Sequence, residues 1–281
     1  MRDFHLKGRR LGDAAVSWLR GEVEPTDPVL ASTVMLVRAA NTRSGLEVFL
    51  QRRVASMEFA PSVVVFPGGR VDPRDARPDV EWVGRSPQEW AEVLGVGEES
   101  ARLLVTAAIR ELFEESGVLL AGPHADEVVA DVSSPAWHDR RTRLANHELS
   151  LAEVLTENEL LLRSDLLGYR AHWVTPEFEP RRYDTRFFAA TLPEGQVPDD
   201  QTSEVDHADW ADPAEVLDAL AEGEVLMFPP TQVCLEDLTD AGSLAAAATD
   251  FADVPVVTPE LMRLDGGELV LRIPLSERGS Q

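Results

Sequence analysis

The chain has 281 residues, 44% of them apolar, and a formal net charge of −24. That length suits one large domain or a core domain with insertions, and that apolar share can bury a core. The charge argues against a nucleic-acid partner, which needs a basic footprint, and against an anionic membrane surface.

The lone cysteine, Cys234, leaves no internal disulfide and no cysteine-based zinc site. No apolar run approaches a membrane span, and no h-region follows "MRDFHLKGRR". A cytoplasmic protein without a secretory signal is expected.

In chain order, "STVMLVRAA" (32–40) and "LEVFLQRR" (46–53) are β-rich runs joined by the turn "NTRSG". "PSVVVFPGG" (61–69) reads as a third strand that stops at Pro67-Gly68-Gly69. "SPQEWAEVLG" predicts a short helix. "GEESARLLVTAAIRELFEESG" predicts a long one, capped by residues 98–100. Its Leu103, Leu104, Ala107, Ala108, Leu112 and Phe113 recur at helical spacing. Residues 135–167 read as helices, "YRAHWVTP" and "RRYDTRFFAATL" as strands. "DHADWADPAEVLDALAEGE" is a strand followed by a helix that starts at Asp212-Pro213. A further helix follows "FPPT", then an Ala-rich linker, then a hairpin turning at Asp265-Gly266-Gly267. No internal repeat is present.

The run "RELFEESGV" (110–118) is anomalous in a chain already so acidic. On a helix, positions i, i+3 and i+4 share a face, so Glu111, Glu114 and Glu115 crowd together while Leu112 and Phe113 turn to the core. Such like-charge pairs destabilise a helix by a few tenths of a kcal/mol each. A cation removes that cost, and an all-oxygen donor set suits Mg²⁺ or Mn²⁺. The competing reading is a solvated acidic face beside Arg110.

Together with the upstream "VVVFPGG" and Asp75, this run resembles the signature of the Nudix hydrolases, G-x5-E-x7-R-E-U-x-E-E-x-G-U with U aliphatic. Gly69 matches the first glycine. Arg110, Glu111, Leu112, Glu114, Glu115, Gly117 and Val118 match the second half. Two departures stand out. Asp75 replaces the first glutamate, and the x7 spacer becomes residues 76–109, which is 34 residues. A box split in this way resembles the branch that contains the peroxisomal acyl-coenzyme A diphosphatase and its bacterial relatives. "WVTPEFEPRRYDTRFFAA", "SEVDHADWADPAEVLDAL" and "FPPT" resemble later landmarks of that branch.

The resemblance implies an α+β Nudix fold, with a mixed β-sheet sandwiched between helices (α/β/α). The domain would span 1–240, with insertions at about 76–100 and 125–170. Residues 241–281 would form a linker and β-hairpin packed on it. It implies a diphosphatase that uses Mg²⁺ or Mn²⁺ and takes a small-molecule nucleotide-diphosphate substrate; a homodimer is left open. Coenzyme A or acyl-coenzyme A, cleaved to 3′,5′-ADP and a phosphopantetheine, is the first candidate. ADP-ribose, NADH, a nucleotide sugar and a non-catalytic sensing module are the alternatives.

By the same resemblance Glu111 and Glu115 are metal ligands, Glu114 is a ligand or helper, and the Gly68 carbonyl contributes. Arg110 orients a glutamate, and Glu204 is the candidate general base, with a glutamate of the box itself as the alternative. The coenzyme-A members carry a motif like L-L-T-[KR]-R-S before the box. "FLQRRVASMEFAPSVVVFPGG" keeps its spacing with Arg53 and Phe66 in place, while Val54, Glu58 and Ser62 depart from it. Arg53 is thereby a candidate substrate contact. Arg182 and Arg186 are further candidates for the diphosphate, since the guanidinium fork suits phosphate; pairing with Asp184 is the alternative. His207 reads as a surface histidine, Trp173, Trp210 and Cys234 as packing.

Overall fold

Two strands whose apolar side chains alternate organise the molecule. The computed structural model describes residues 1–5, 12–53, 63–77, 79–199, 205–251 and 253–274. In chain order the elements are β1 (Arg2–His5), α1 (Gly12–Leu19), β2 (Val29–Ala39), β3 (Leu46–Arg53), β4 (Val64–Val65), β5 (Gly68–Arg70), β6 (Trp82–Val83), α2 (Pro87–Leu94), α3 (Glu98–Ser116) and β7 (Ala121–Gly122). They continue as α4 (Pro135–Ala145), α5 (Leu151–Glu157), β8 (Leu161–Arg163), β9 (Gly168–Val174), β10 (Tyr183–Thr191), β11 (Val205–Ala211), α6 (Pro213–Glu222), α7 (Pro229–Ala241), α8 (Leu244–Ala248), β12 (Val256–Val257), β13 (Glu260–Arg263) and β14 (Leu269–Ile273).

The main sheet runs β11-β3-β2-β10-β9-β12, with β4 on β3 and β5 on β2. β2 and β10 pair in parallel, as do β9 and β12, while the other pairs are antiparallel, so the sheet is mixed. Side chains two apart share a face. Val34, Leu36, Phe188 and Ala190 pack with α2, α3 and α5 on one side. Met35, Val37, Phe187 and Ala189 pack with α7 and α8 on the other. This is the expected α/β/α sandwich. Trp173 and Cys234 are buried in the second cluster, as packing residues.

β2 and β3 pair only over Val37, Arg38 and Ala39 with Val48, Glu47 and Leu46, and then diverge. The segment expected as one strand over 61–69 fills the fork in two pieces. Val64 and Val65 pair with β3, whereas Gly68, Gly69 and Arg70 pair with β2. Pro67 marks the change: it has no N–H for a ladder, and its carbonyl accepts from Val34 N–H at 2.9 Å.

α3 forms where the periodicity placed it. Its cap differs from expectation: Gly97 is the N-cap and makes no side-chain bond, while Glu98 and Glu99 lie in the first turn. There they favour the positive end of the helix dipole. Ser32 Oγ, fully buried on β2, donates to the Leu104 carbonyl at 2.6 Å and seats the helix on the sheet.

The segment 135–167 holds α4 and α5 but also a strand, β8, followed by a 3-10 turn over Ser164–Leu166. β8 pairs with β6 and β7, so a small sheet ties the insertion inside the box to the later one. The Ala-rich stretch forms α8, not a linker; alanine has the highest helix propensity, and Ser243 caps it. The hairpin β13–β14 turns at Gly267, whose φ is +82°, and β1 adds to it as a third strand. Ile273 of β14 joins the second core cluster. No helix of the described residues is long and apolar enough to cross a membrane.

Candidate active site

Arg110 organises the box. Its Nε donates to both Asp75 carboxylate oxygens, at 3.0 and 3.2 Å. Nη2 donates to Asp75 Oδ2 at 3.0 Å and to the Arg70 carbonyl at 2.8 Å. Nη1 reaches Glu111 Oε1 at 2.8 Å and Glu114 Oε1 at 3.3 Å. All five guanidinium N–H groups are thereby used, a demand only arginine meets. Burial opposes the Arg110 charge, but Glu111, Asp75 and Glu114 outweigh it and raise its pKa further, so it stays a cation.

Asp75 opens this network from a 3-10 turn over Pro73–Ala76. Asp72 caps that turn by accepting from Arg74 N–H, and Asp75 returns the bond to Asp72 N–H at 2.8 Å. Asp75 is 3% exposed. Its carboxylate is spent on Arg110 and the turn, which accounts for an acid at this position.

The glutamates are not a solvated face. Side-chain exposure is 12% for Glu111 and 11% for Glu114. Burial pushes the Glu111 carboxyl up to about 7, against the pull of Arg110 and with the push of Glu114. Burial raises Glu114 as well. Keeping these groups ionised and together costs free energy that a cation would offset.

Two glycines meet them. Gly68 N–H donates to Glu115 Oε2 at 2.9 Å. In a strand the N–H and C=O of one residue point to the same side, so the Gly68 carbonyl faces the α3 side rather than β2. A Cβ on Gly69 would lie 2.5 Å from Glu111 Oε1. The glycine therefore makes the space the Glu111 carboxylate occupies. Among the described residues no three His, Cys, Asp or Glu side chains converge as a cation cage. Arg110 draws Glu111 and Glu114, and Gly68 draws Glu115. The donor set itself fits a hard cation: carboxylates and a peptide carbonyl, all oxygen.

The end of α3 is secured carbonyl by carbonyl. The last four helix carbonyls have no partner within the helix. Phe113 accepts from Gly117 N–H, Glu114 from Arg141 Nε at 2.9 Å, Glu115 from Gln51 Nε2 at 3.3 Å, and Ser116 from Asp199 N–H at 2.9 Å. Arg141 and Asp199 were not singled out in the sequence, because nothing local distinguishes them. Gln51 left a faint signal: it is a polar residue inside an apolar strand.

The other candidate residues lie apart from this constellation. Arg182 donates to the Thr175 and Thr26 carbonyls at 3.0 and 2.7 Å. Arg186, 2% exposed, contacts Asp184 and His172. The backbone of Arg53 pairs with Val205, but its side chain lies outside the described residues, as does Glu204. The His207 side chain is 68% exposed. Trp210 packs against Phe49, with the Arg38 guanidinium 4.3 Å from its ring centre.

The family model of the NUDT19 Nudix domain matches residues 96–237. The chain belongs to the Nudix family. This Nudix chain is 26% identical over 242 residues to the acyl-coenzyme A diphosphatase NUDT19 of Xenopus laevis. That match covers 72% of this chain and 62% of the relative. The human acyl-coenzyme A diphosphatase NUDT19 is 26% identical over 243 residues, with the same coverage of 72% and 62%. The chain thus spans less than two thirds of the curated relatives it matches. Among solved structures it is similar to a NUDIX hydrolase from Alicyclobacillus acidocaldarius. The TM-score is 0.68 at 26% identity, over 81% of this chain and 99% of that one. The matched region includes Arg110 to Val118 on and after α3.

Proposed function

We propose that the chain is a divalent-metal-dependent diphosphatase that cleaves a nucleoside diphosphate linked to another group. The observation that carries this is the set of three glutamates on one face of α3, two of them held by Arg110 and the third by Gly68 N–H. A sensing module needs no such arrangement, and every helix carboxylate of the box is present.

Glu111, Glu114 and Glu115, with the Gly68 carbonyl, would hold Mg²⁺ or Mn²⁺. Bound there, the cation would neutralise charge on the phosphoryl oxygens. The protein's own groups do the rest. Arg110, fixed by Asp75, bridges Glu111 and Glu114 through Nη1 and holds them in register. Glu204 takes the proton from the attacking water. Water adds to one phosphorus, the P–O–P bond breaks, and the other phosphate leaves with the electron pair.

Coenzyme A or acyl-coenzyme A is the substrate class we favour, on the similarity to the two acyl-coenzyme A diphosphatases. Arg182 would have to give up two backbone carbonyls to meet phosphate. Purified protein with Mg²⁺ or Mn²⁺ should be assayed against coenzyme A, acyl-coenzyme A, NADH, ADP-ribose and nucleotide sugars. Release of 3′,5′-ADP from coenzyme A substrates at the highest kcat/KM is expected. Preference for ADP-ribose or a nucleotide sugar overturns the substrate class, and hydrolysis of none overturns the enzyme reading.

A further inference from the structure

The later insertion touches the box at both ends. In front, Arg74 Nη1 donates to the His147 and Leu149 carbonyls at 3.0 and 3.2 Å, so the α4–α5 loop steadies the turn that carries Asp75. Behind, Arg141 of α4 lies 5% exposed against the end of α3. Its Nε donates to the Glu114 carbonyl at 2.9 Å and its Nη1 to Asp199 Oδ1 at 2.6 Å. Gly117 opens the path: a Cβ there would lie 2.9 Å from Arg141 Nη1. Arg141 Nη2 is buried without a hydrogen-bond partner among the described residues.

Asp199 is held twice, by Arg141 and through its own N–H on the Ser116 carbonyl. Three residues earlier, Gln196 accepts from Leu119 N–H and donates to the Leu119 carbonyl, both at 2.9 Å. The segment 196–199 is therefore stitched to the exit of α3 just before the chain runs on to Glu204. A cation at a helix C-terminus is favoured by the dipole, and a charged hydrogen bond is stronger than a neutral one. Arg141 does both at the residue that carries a metal-site carboxylate.

We propose that Arg141 is a positioning residue: it keeps Glu114 and the segment 196–199 in one register at the end of α3. This rests on the diphosphatase reading. The insertion then serves as a brace for the catalytic helix, and Arg141 with Asp199 is the joint that passes its rigidity to the chemistry.

The test uses Arg141→Met, Arg141→Lys, Asp199→Asn and the Met/Asn double variant in the full chain. Readouts are kcat and KM per folded molecule, thermal midpoint, and hydrogen exchange at the amides of 117–119 and 199. Misplacement of about 1 Å can cost roughly 100-fold, so Arg141→Met should lower kcat by about 10- to 100-fold with KM changed less than about threefold. Arg141→Lys should recover part of that loss, because it keeps one charged bond. Asp199→Asn should lower kcat too, and the double variant should be no worse than Arg141→Met, since the two act as one unit. The amide at position 199 should exchange faster in Arg141→Met and in Asp199→Asn. Should Arg141→Met fail to fold, Asp199→Asn and Arg141→Lys carry the test. Wild-type kcat in variants that lose only thermal stability, or losses that multiply in the double variant, overturn the proposal. An inactive wild type instead sinks the diphosphatase reading, and the positioning role falls with it.

Discussion

Asp75 and Arg110, thirty-five positions apart in the chain, form a buried two-pronged ion pair at 3.0 Å through Nε and 3.0 Å through Nη2. The pair bridges the box across its insertion. It converts two distant half-motifs into one site, since the same guanidinium also reaches Glu111 and Glu114.

Asp75→Asn removes the charge but leaves an acceptor for one bond. We expect a stability loss of about 1–3 kcal/mol, the range for a hydrogen bond to a charged group. Activity should fall by a modest factor, because Arg110 is less firmly anchored. Mn²⁺ affinity, measured by electron paramagnetic resonance, should change little. A collapse of Mn²⁺ binding would make Asp75 a ligand instead.

Glu114→Gln and Glu115→Gln should each lower kcat by about two to three orders of magnitude, since the charge that meets the cation is lost while an amide can still hydrogen-bond. Far-ultraviolet circular dichroism should be unchanged. A near wild-type rate in either variant removes that residue from the metal site.

The two glycines should respond differently to alanine. At Gly69 the three atoms nearest the new methyl are those of the Glu111 carboxylate, the end of a side chain, so Gly69→Ala should fold and lose activity. At Gly68 it would lie 2.5 Å from the Ser32 carbonyl oxygen and 2.7 Å from Thr33 Cα, both backbone. Gly68→Ala should therefore lower the thermal midpoint markedly. Equal midpoints for the two variants would contradict this division.

Asp72 titrates at about 2, lowered chiefly by its hydrogen bond to Arg74 and against the opposing effect of burial. A carboxyl depressed in the folded state stabilises above its unfolded pKa of about 3.9, and that contribution is lost as pH falls towards 2. Asp72→Asn should cost about 1 kcal/mol at neutral pH, after allowing for solvent screening. The gap from wild type should close below about pH 4. Urea titrations at pH 7 and pH 3 check both points; a gap that widens in acid would reverse the sign.

Glu204→Gln, assayed over a pH series at saturating Mg²⁺, tests the general base. The expected result is a steep fall in kcat and loss of the acidic limb. If the limb persists and only KM moves, a carboxylate of the box removes the proton.

The sequence by itself determined the central strands, the long helix and which carboxylates the box gathers. β-rich runs at 32–40 and 46–53 marked the central strands, and the 3.6-residue stripe of 101–116 marked α3. Those signals are local, because burial of one face writes itself into neighbouring positions. The glutamates of 111–115 were legible for the same reason: one turn of helix gathers them. Tertiary structure alone decided what each charge is spent on. The break at Pro67, with its switch from β3 to β2, depends on a fork that only the assembled sheet creates. Asp75 found Arg110, and Arg141 found Asp199 across 58 positions, through contacts that no periodicity encodes. In the sequence Arg186 is open between phosphate and Asp184, because a guanidinium has the same chemistry wherever it lies. The fold places it against Asp184 and His172, where burial demands a partner within reach.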